Sequence, residues 1–424
     1  MRMESNEPIQ GNAPTRPSMN ARSLVLWIGD HTSAILNEPG QDVVGTVAMR
    51  LANASRNAGA LRKARRAHGI GVAFDTEAWR NQCRPDHVYR RESFQTLGYD
   101  SRDLFNTERV DIETALTDSR VAAYSDAQLK AQIPFDPTIF QTPAHISPTV
   151  VAMENDIRLA EATIELVNRR ALREPADGDK HERPRALFAT ICVTSSALSR
   201  ERISEIAHRY ALLDVDGYWI WAVDFEAYGV RAERMLRLVL ALQEASGRPV
   251  CPGGLGNLWQ AALARGAAGA INGPDRGSLE FDPEQAPPEP RDPDDEDDKD
   301  GRRIHTYHGA ILGMFRFGKD GDKVLARTFA RNACGCGHHA AGVPPQGRRE
   351  TVAHNQWWRL KEARHVCRGT AEQASSALQE RLPVVQAERE AVGLSTGLKP
   401  GWQRSVEEWD QLPVGWGAAE GRAA

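Results

Sequence analysis

The chain has 424 residues, 41% hydrophobic and 26% charged, enough to bury a large core in one or two domains and too apolar for disorder along most of its length. Lys+Arg 53 against Asp+Glu 57 leaves a formal net charge of -4, which excludes a uniformly basic nucleic-acid coat but not a local basic face. No stretch approaches the roughly 18 apolar residues of a membrane span and no apolar signal core opens the chain, while six cysteines are too few and scattered for a disulfide scaffold, so a cytoplasmic protein without a membrane anchor is expected.

In chain order, residues 1–20 read as a loose tail with Pro8, Pro14 and Pro17. Short apolar runs then alternate with helical stretches. Ser23 to Gly29 (SLVLWIG), Gly69 to Phe74 (GIGVAF), Ala186 to Val193 (ALFATICV), Gly217 to Val223 (GYWIWAV) and Arg248 to Pro252 have the continuous apolar character of strands buried on both faces. Met153, Ile157, Ala160, Ile164 and Val167 recur at helical steps with Glu154, Arg158, Glu161 and Glu165 between them, which makes one apolar stripe. A second helix runs from Arg231 to Ser246 and stops at Gly247. Strand–helix alternation requires parallel strands, and at this length a (β/α)8 TIM-type barrel is favoured over an open doubly wound sheet. Glu174 to Arg185 is an exposed loop in this reading. From Asp282 to Asp300, ten acidic residues and five prolines stand against Arg291 and Lys299, a disordered acidic insertion. Arg302 to Arg368 then holds thirteen Lys/Arg against four Asp/Glu, a face suited to phosphate.

Cys334-Gly-Cys336-Gly-His338-His339 is followed fifteen residues later by His354, at the start of an amphipathic helix. Two thiolates spaced C-x-C and two imidazoles can meet in a tetrahedron around Zn²⁺, with Gly335 and Gly337 folding the backbone tightly. Of His338 and His339, the C-x-C-x2-H spacing favours His339; His365 and Cys367 are weaker alternatives. A closed site of four protein ligands, Cys334, Cys336, His339 and His354, is structural. The expected organisation is a tail over 1–20, the main part of the barrel over 21–280, the acidic insertion over 281–301, the end of the barrel with the zinc-binding subdomain over 302–370, and a C-terminal helix and tail over 371–424.

Eight short motifs keep one order from about residue 70 to 365. They are Ala73-Phe-Asp75-Thr, Pro134-Phe-Asp136, Leu187-Phe-Ala-Thr-Ile-Cys192, Leu213-Asp-Val-Asp-Gly-Tyr-Trp-Ile, Gly254-Leu-Gly, AALARG from Ala261 to Gly266, Tyr307-His308-Gly309, and the Cys/His cluster. In that order they resemble the DSGGF, FDE, LFGIVQ, FDGYAIGG, GVG, LEAVARG, RHG and C-x-C-x2-C…HN motifs of the tRNA-guanine transglycosylase family. Members of that family are zinc-containing (β/α)8 barrels that exchange a guanine for a 7-deazaguanine; each motif is weak alone, and their shared order carries the resemblance.

The resemblance implies a pentosyltransferase in which one carboxylate holds the ribose covalently while the old base leaves and a second moves a proton for the incoming base, as in retaining glycosidases. It implies Asp75 as general acid/base and Asp136 as the carboxylate on the purine edge, both expected at strand C-terminal ends, where barrel sites lie. Cys192 stands where the family has a purine-contacting Gln, and Trp221-Ala222 where it has Gly-Gly under the base; Gly254 completes the expected substrate-binding set. DSGGFQ is reduced to Asp75-Thr-Glu-Ala. Ile271 occupies the place of the family's nucleophilic Asp, so Asp275, four residues on, is the leading replacement, with Asp224 and Glu226 as others. Two functions are therefore expected: base exchange in tRNA or DNA, or a catalytically silent homologue that binds nucleic acid or pairs with an active subunit. In both, Arg316, Lys319, Lys323, Arg327 and Arg331 lead the phosphate contacts, with the acidic insertion as a competitor for that face. Trp357 and Trp358 are placed for a homodimer contact or in the core.

Overall fold

The computed structural model describes residues 22–28, 41–79, 114–147, 149–173, 185–194, 197–223, 232–272, 305–316 and 321–394. Strands β1 (Ser23–Trp27), β2 (Val44–Arg50), β3 (Gly71–Asp75), β4 (Ile139–Gln141), β5 (Ala186–Thr194), β6 (Gly217–Val223), β7 (Val250–Gly253) and β8 (Gly269–Asn272) lie in the order β7-β6-β5-β4-β3-β2-β1-β8, each neighbour parallel. Where the two ends of that order meet, the Ala268 amide donates to the Val250 carbonyl at 3.1 Å. The sheet is thereby a nearly closed (β/α)8 barrel.

Parallel neighbours need a crossover rather than a tight turn. Among the described residues, helices α1 (Ala54–His68), α2 (Asp118–Gln132), α3 (Val150–Arg169), α4 (Arg200–Ala211), α5 (Ala232–Ser246) and α6 (Trp259–Ala264) supply it, one between each pair of strands from β2 to β8. The starts of α2, α3 and α4 are set by Thr117, Thr149 and Ser199, whose hydroxyls accept from the amides of Arg120, Ala152 and Arg202. Along each strand the side chains alternate. Val25, Ala48, Ala73, Ile139, Phe188, Trp219, Cys251 and Ile271 form the inner cluster, while Leu24, Val47, Phe74, Phe140, Leu187, Ile220, Val250 and Ala270 join the larger core beneath the helices. Two glycines make room for inner rings. A Cβ on Gly217 would stand 2.6 Å from Phe188, and one on Gly253 would stand 2.7 Å from Trp221.

Past the barrel strands comes an antiparallel hairpin, β9 (His305–His308) and β10 (Gly313–Arg316), followed by α7 (Gly321–Arg331), α8 (Gly347–Cys367) and α9 (Ala371–Ala391). α8 packs on β1, α6 and β9 and so fills the place of the last barrel helix. Arg22, just ahead of β1, donates to the carbonyls of Gly369 at 2.6 Å and Leu263 at 3.2 Å, tying the first strand to the loop between α8 and α9. Gly309 sits under α8, where a Cβ would stand 2.3 Å from the Trp358 ring. Gly309→Ala is therefore expected to destabilise the chain by about 1–3 kcal/mol, read as a lower urea midpoint; an unchanged midpoint would show that α8 yields without cost.

The five expected strands and both expected helices are present, with ends shifted by up to three residues. β2, β4 and β8 had no counterpart in the sequence reading. His354 does not start its helix: α8 begins at Gly347, two turns earlier, because the backbone turns into the helix after Gln346. The tail over 1–20, residues 174–184 of the expected loop, the acidic insertion and the C-terminal tail over 395–424 lie outside the described residues. No helix among the described residues is long and apolar enough to cross a membrane.

Candidate metal centre and barrel mouth

Cys334 and Cys336 lie on the turn that follows α7. Gly337, at φ 74°, takes the left-handed conformation that side chains disfavour, and the turn lets the His338 amide donate to Cys336 Sγ at 3.4 Å while His339 reaches back over the thiols. His354 arrives from α8. Its Nε2 donates to the Tyr307 carbonyl at 2.7 Å, a bond that fixes the orientation of the ring and leaves Nδ1 as the free lone pair. Its Nδ1 consequently faces Cys334 Sγ at 3.5 Å, Cys336 Sγ at 3.6 Å and His339 Nε2 at 2.9 Å. All four ligand atoms lie within 4.8 Å of one another. Tetrahedral bonds of 2.0–2.3 Å place ligand atoms about 3.3–3.8 Å apart, close to these spacings, so the cluster could hold a metal ion.

A hydrogen bond between the two thiols raises Cys334 and lowers Cys336, with the His354 imidazole adding to the lowering. His308 belongs to the wall and not to the ligand set. Its Nε2 donates to the Asn332 carbonyl at 3.2 Å, its ring stands edge-on to Phe329, and burial, then His354, push it down to about 3.

The second constellation is at the C-terminal ends of the strands. Asp75 ends β3 and is 3% exposed; its Oδ1 accepts from the Glu77 amide at 2.8 Å. Glu77 is equally buried and pairs with Arg50, the last residue of β2, at 3.1 Å. Its φ of 48° is uncommon outside glycine and is held at a cost of order 1–3 kcal/mol. The register pairs Arg50 with Asp75 and Ala73 with Ile139, which carries Gln141 to the level of Asp75. Gln132 clamps the Gln141 main chain, accepting from its amide at 3.0 Å and donating to its carbonyl at 2.9 Å. Both polar atoms of the fully buried Gln141 side chain lack a hydrogen-bond partner among the described residues, as do Thr190 Oγ1 and Trp221 Nε1. Leaving one such group unsatisfied costs about 1–3 kcal/mol, and these three residues stand on the neighbouring strands β4, β5 and β6.

Beside them, His145 Nδ1 lies 2.9 Å from Asp156, which also accepts from Ser147 Oγ at 2.7 Å, and Tyr124 OH lies 3.3 Å from His145 Nε2. These bonds pin the chain after β4 so that Ile146 bridges to Cys192. Cys192 is buried, and burial, then Asp75 and Asp156, push its thiol well up; it is a neutral group facing the mouth. Trp221 lies inside the barrel, 4% exposed, edge-on to Trp27 at 5.1 Å. Gly254 has φ 77°, and a Cβ there would stand 2.1 Å from the Ala222 carbonyl oxygen, so close backbone approach of β7 to β6 accounts for this glycine. Ile271 faces inward.

Asp136 is not at a strand C-terminal end. It takes a left-handed conformation, φ 52°, on the turn ahead of β4 at the opposite rim, where Arg65 holds it at 2.8 Å and Arg185 at 2.5 Å. The short turn over Ile133–Phe135 ends the preceding helix there, and β4 starts only at Ile139. The mouth instead presents Glu77 and Gln141, which the sequence reading passed over. Asp275, Asp224 and Glu226 lie outside the described residues.

Among the expected phosphate contacts, Lys323, Arg327 and Arg331 are exposed on α7. Arg331 pairs with Glu388 at 3.4 Å and Arg327 donates to the Val392 carbonyl at 3.3 Å, so both are drawn toward α9. Lys319 and the Arg316 side chain lie outside the described residues. Trp358 is buried against Gly309 and Trp357 half-buried, with Lys361 Nζ 4.7 Å from each ring. No protein-family model matches the chain, and no curated protein matches it.

Proposed function

We propose that this chain is a base-exchange transferase of the tRNA-guanine transglycosylase type, replacing a guanine by a 7-deazaguanine in tRNA or DNA. The observation that carries the reading is Asp75, a buried carboxylate at the mouth of the barrel beside the unpartnered amide of Gln141. A carboxylate there takes or gives the proton that a departing or incoming base requires. Gln141 and Thr190 offer donors and acceptors to a heterocycle's edge, and Trp27 and Trp221 offer aromatic surface. Asp275, just past β8, is the proposed nucleophile. Zn²⁺ is the ion we assign to Cys334, Cys336, His339 and His354, since two thiolates and two imidazoles are a donor set that zinc takes in structural sites. Free thiols there suit a reducing compartment, the cytoplasm.

The test is exchange of labelled guanine or a 7-deazaguanine into tRNA and DNA acceptors. Asp75→Asn is expected to slow exchange by about 10²-fold or more with the melting temperature unchanged; full exchange by that variant would remove Asp75 from the chemistry. The packing of Trp221 and Ile271 inside the barrel favours a second reading, a silent homologue that binds nucleic acid or pairs with a second subunit. A wild-type protein that binds acceptor but never exchanges label would establish it.

A further inference from the structure

α1 carries Arg56, Arg62, Lys63, Arg65 and Arg66 among its fifteen residues and no acidic residue. Helices that simply face water usually offset cations with acids three or four positions away. No acid stands on this helix. Arg65 turns to Asp136, which Arg185 also holds, so that acid is doubly compensated and leaves the helix surface cationic. Arg62 and Lys63 are exposed. The helix starts just past Arg50 at the mouth and ends before β3, so it runs down the outside of the barrel from the rim where Asp75 lies. Its fifteen residues span about 22 Å, comparable to roughly six base-pair steps of a duplex. The α7 arginines differ in already being engaged by α9.

We propose that the face of α1 around Arg62 and Lys63 is the surface on which the phosphate backbone of a nucleic-acid acceptor lies while its target base is at the barrel mouth. The inference rests on the proposed function, and the substrate class it names is a polynucleotide, not a free nucleoside. Counterion release from phosphates supplies the affinity, which must therefore fall steeply with salt.

The experiment measures binding of fluorescent tRNA and duplex DNA to the full chain across a salt titration, for wild type, for Arg62→Glu/Lys63→Glu, and for Arg169→Glu/Arg200→Glu, an equal charge change at exposed positions of α3 and α4. The α1 pair is expected to lose at least tenfold in affinity near 0.1 M salt, and its slope of log affinity against log salt should flatten by roughly two for duplex, with the second pair close to wild type. Arg62→Gln/Lys63→Gln, which removes the cations without adding acids, should show the same flattening at an unchanged melting temperature. Equal affinity and slope in the two charge-reversed pairs would overturn the proposal. So would loss of binding to anionic lipid vesicles with nucleic-acid binding intact, or a wild type that binds neither polynucleotide. A wild type that binds steeply but exchanges no base would refute the enzymatic reading and leave this surface standing.

Discussion

Cys336→Ala is expected to abolish stoichiometric zinc and to lower the melting temperature more than any other single substitution considered for this chain. Structural zinc sites bind with on the order of 10–16 kcal/mol, and where the unfolded chain has no site that energy belongs to folding. The four ligands come from two places, the turn after α7 and the third turn of α8, so the ion would join that turn to the helix that covers β1. Losing it should loosen residues 334–367 first and the barrel strands last, which hydrogen exchange resolves by segment. Strong acid should likewise release the ion, because each ligand must take up a proton for it to leave. Elemental analysis finding no zinc in the wild type would sink the assignment, as would a Cys336→Ala protein that keeps both the metal and the wild-type melting temperature.

Glu362→Ala should cost about 3–5 kcal/mol, the range for removing one partner of a buried ion pair. The Glu362 carboxylate is 1% exposed and accepts from Gln260 of α6 at 2.5 Å, Tyr307 of β9 at 2.6 Å and Arg381 of α9 at 2.8 Å. It thus joins four elements at one point, its own helix included. Arg359, one turn earlier on α8, is itself buried with its guanidinium carbon 4.0 Å from the centre of the Tyr307 ring, so removing the carboxylate leaves two arginines and a phenol without their common anion. Glu362→Gln keeps an acceptor and should cost less. Denaturant unfolding compares the three proteins, and an alanine variant within 1 kcal/mol of wild type would show that water replaces the carboxylate.

How much could be read beforehand depended on length and locality. β5 and β6 are nine and seven residues of nearly unbroken apolar chain, and such runs announce themselves. β4 and β8, IFQ and GAIN, are three and four residues, too short to show a period, and they are strands because neighbours on both sides supply the ladder. β2 is interrupted by Gly45 and Thr46. The Cys/His cluster was legible because three of its ligands are local; the helix start at Gly347 was not, since Gln346 caps it without a side-chain bond. Asp136 resembled a strand-end acid because Pro-Phe-Asp follows an apolar residue. Its left-handed turn puts it on the wrong rim, and no residue type at that position signals it. Gln141 carries no motif; only the barrel register and its unpartnered amide distinguish it. α1 was readable in principle, as five cations with no acid, but it was hidden by the larger basic excess later in the chain.

The seam between β1 and β8 has a consequence for how the molecule is made. Leu24 pairs with Ala270, nearly two hundred and fifty positions along the chain. At about 5–20 residues per second, a ribosome takes on the order of 12–50 s to deliver that partner, and α8, which covers the same strand, emerges later still. Throughout this interval one edge of β1 offers unpaired main-chain groups flanked by Leu24, Val25 and Leu26, a template for pairing with other nascent chains. Barrel closure is therefore a late event in this protein, and its yield in the cell depends on what shields that first strand until its partners arrive.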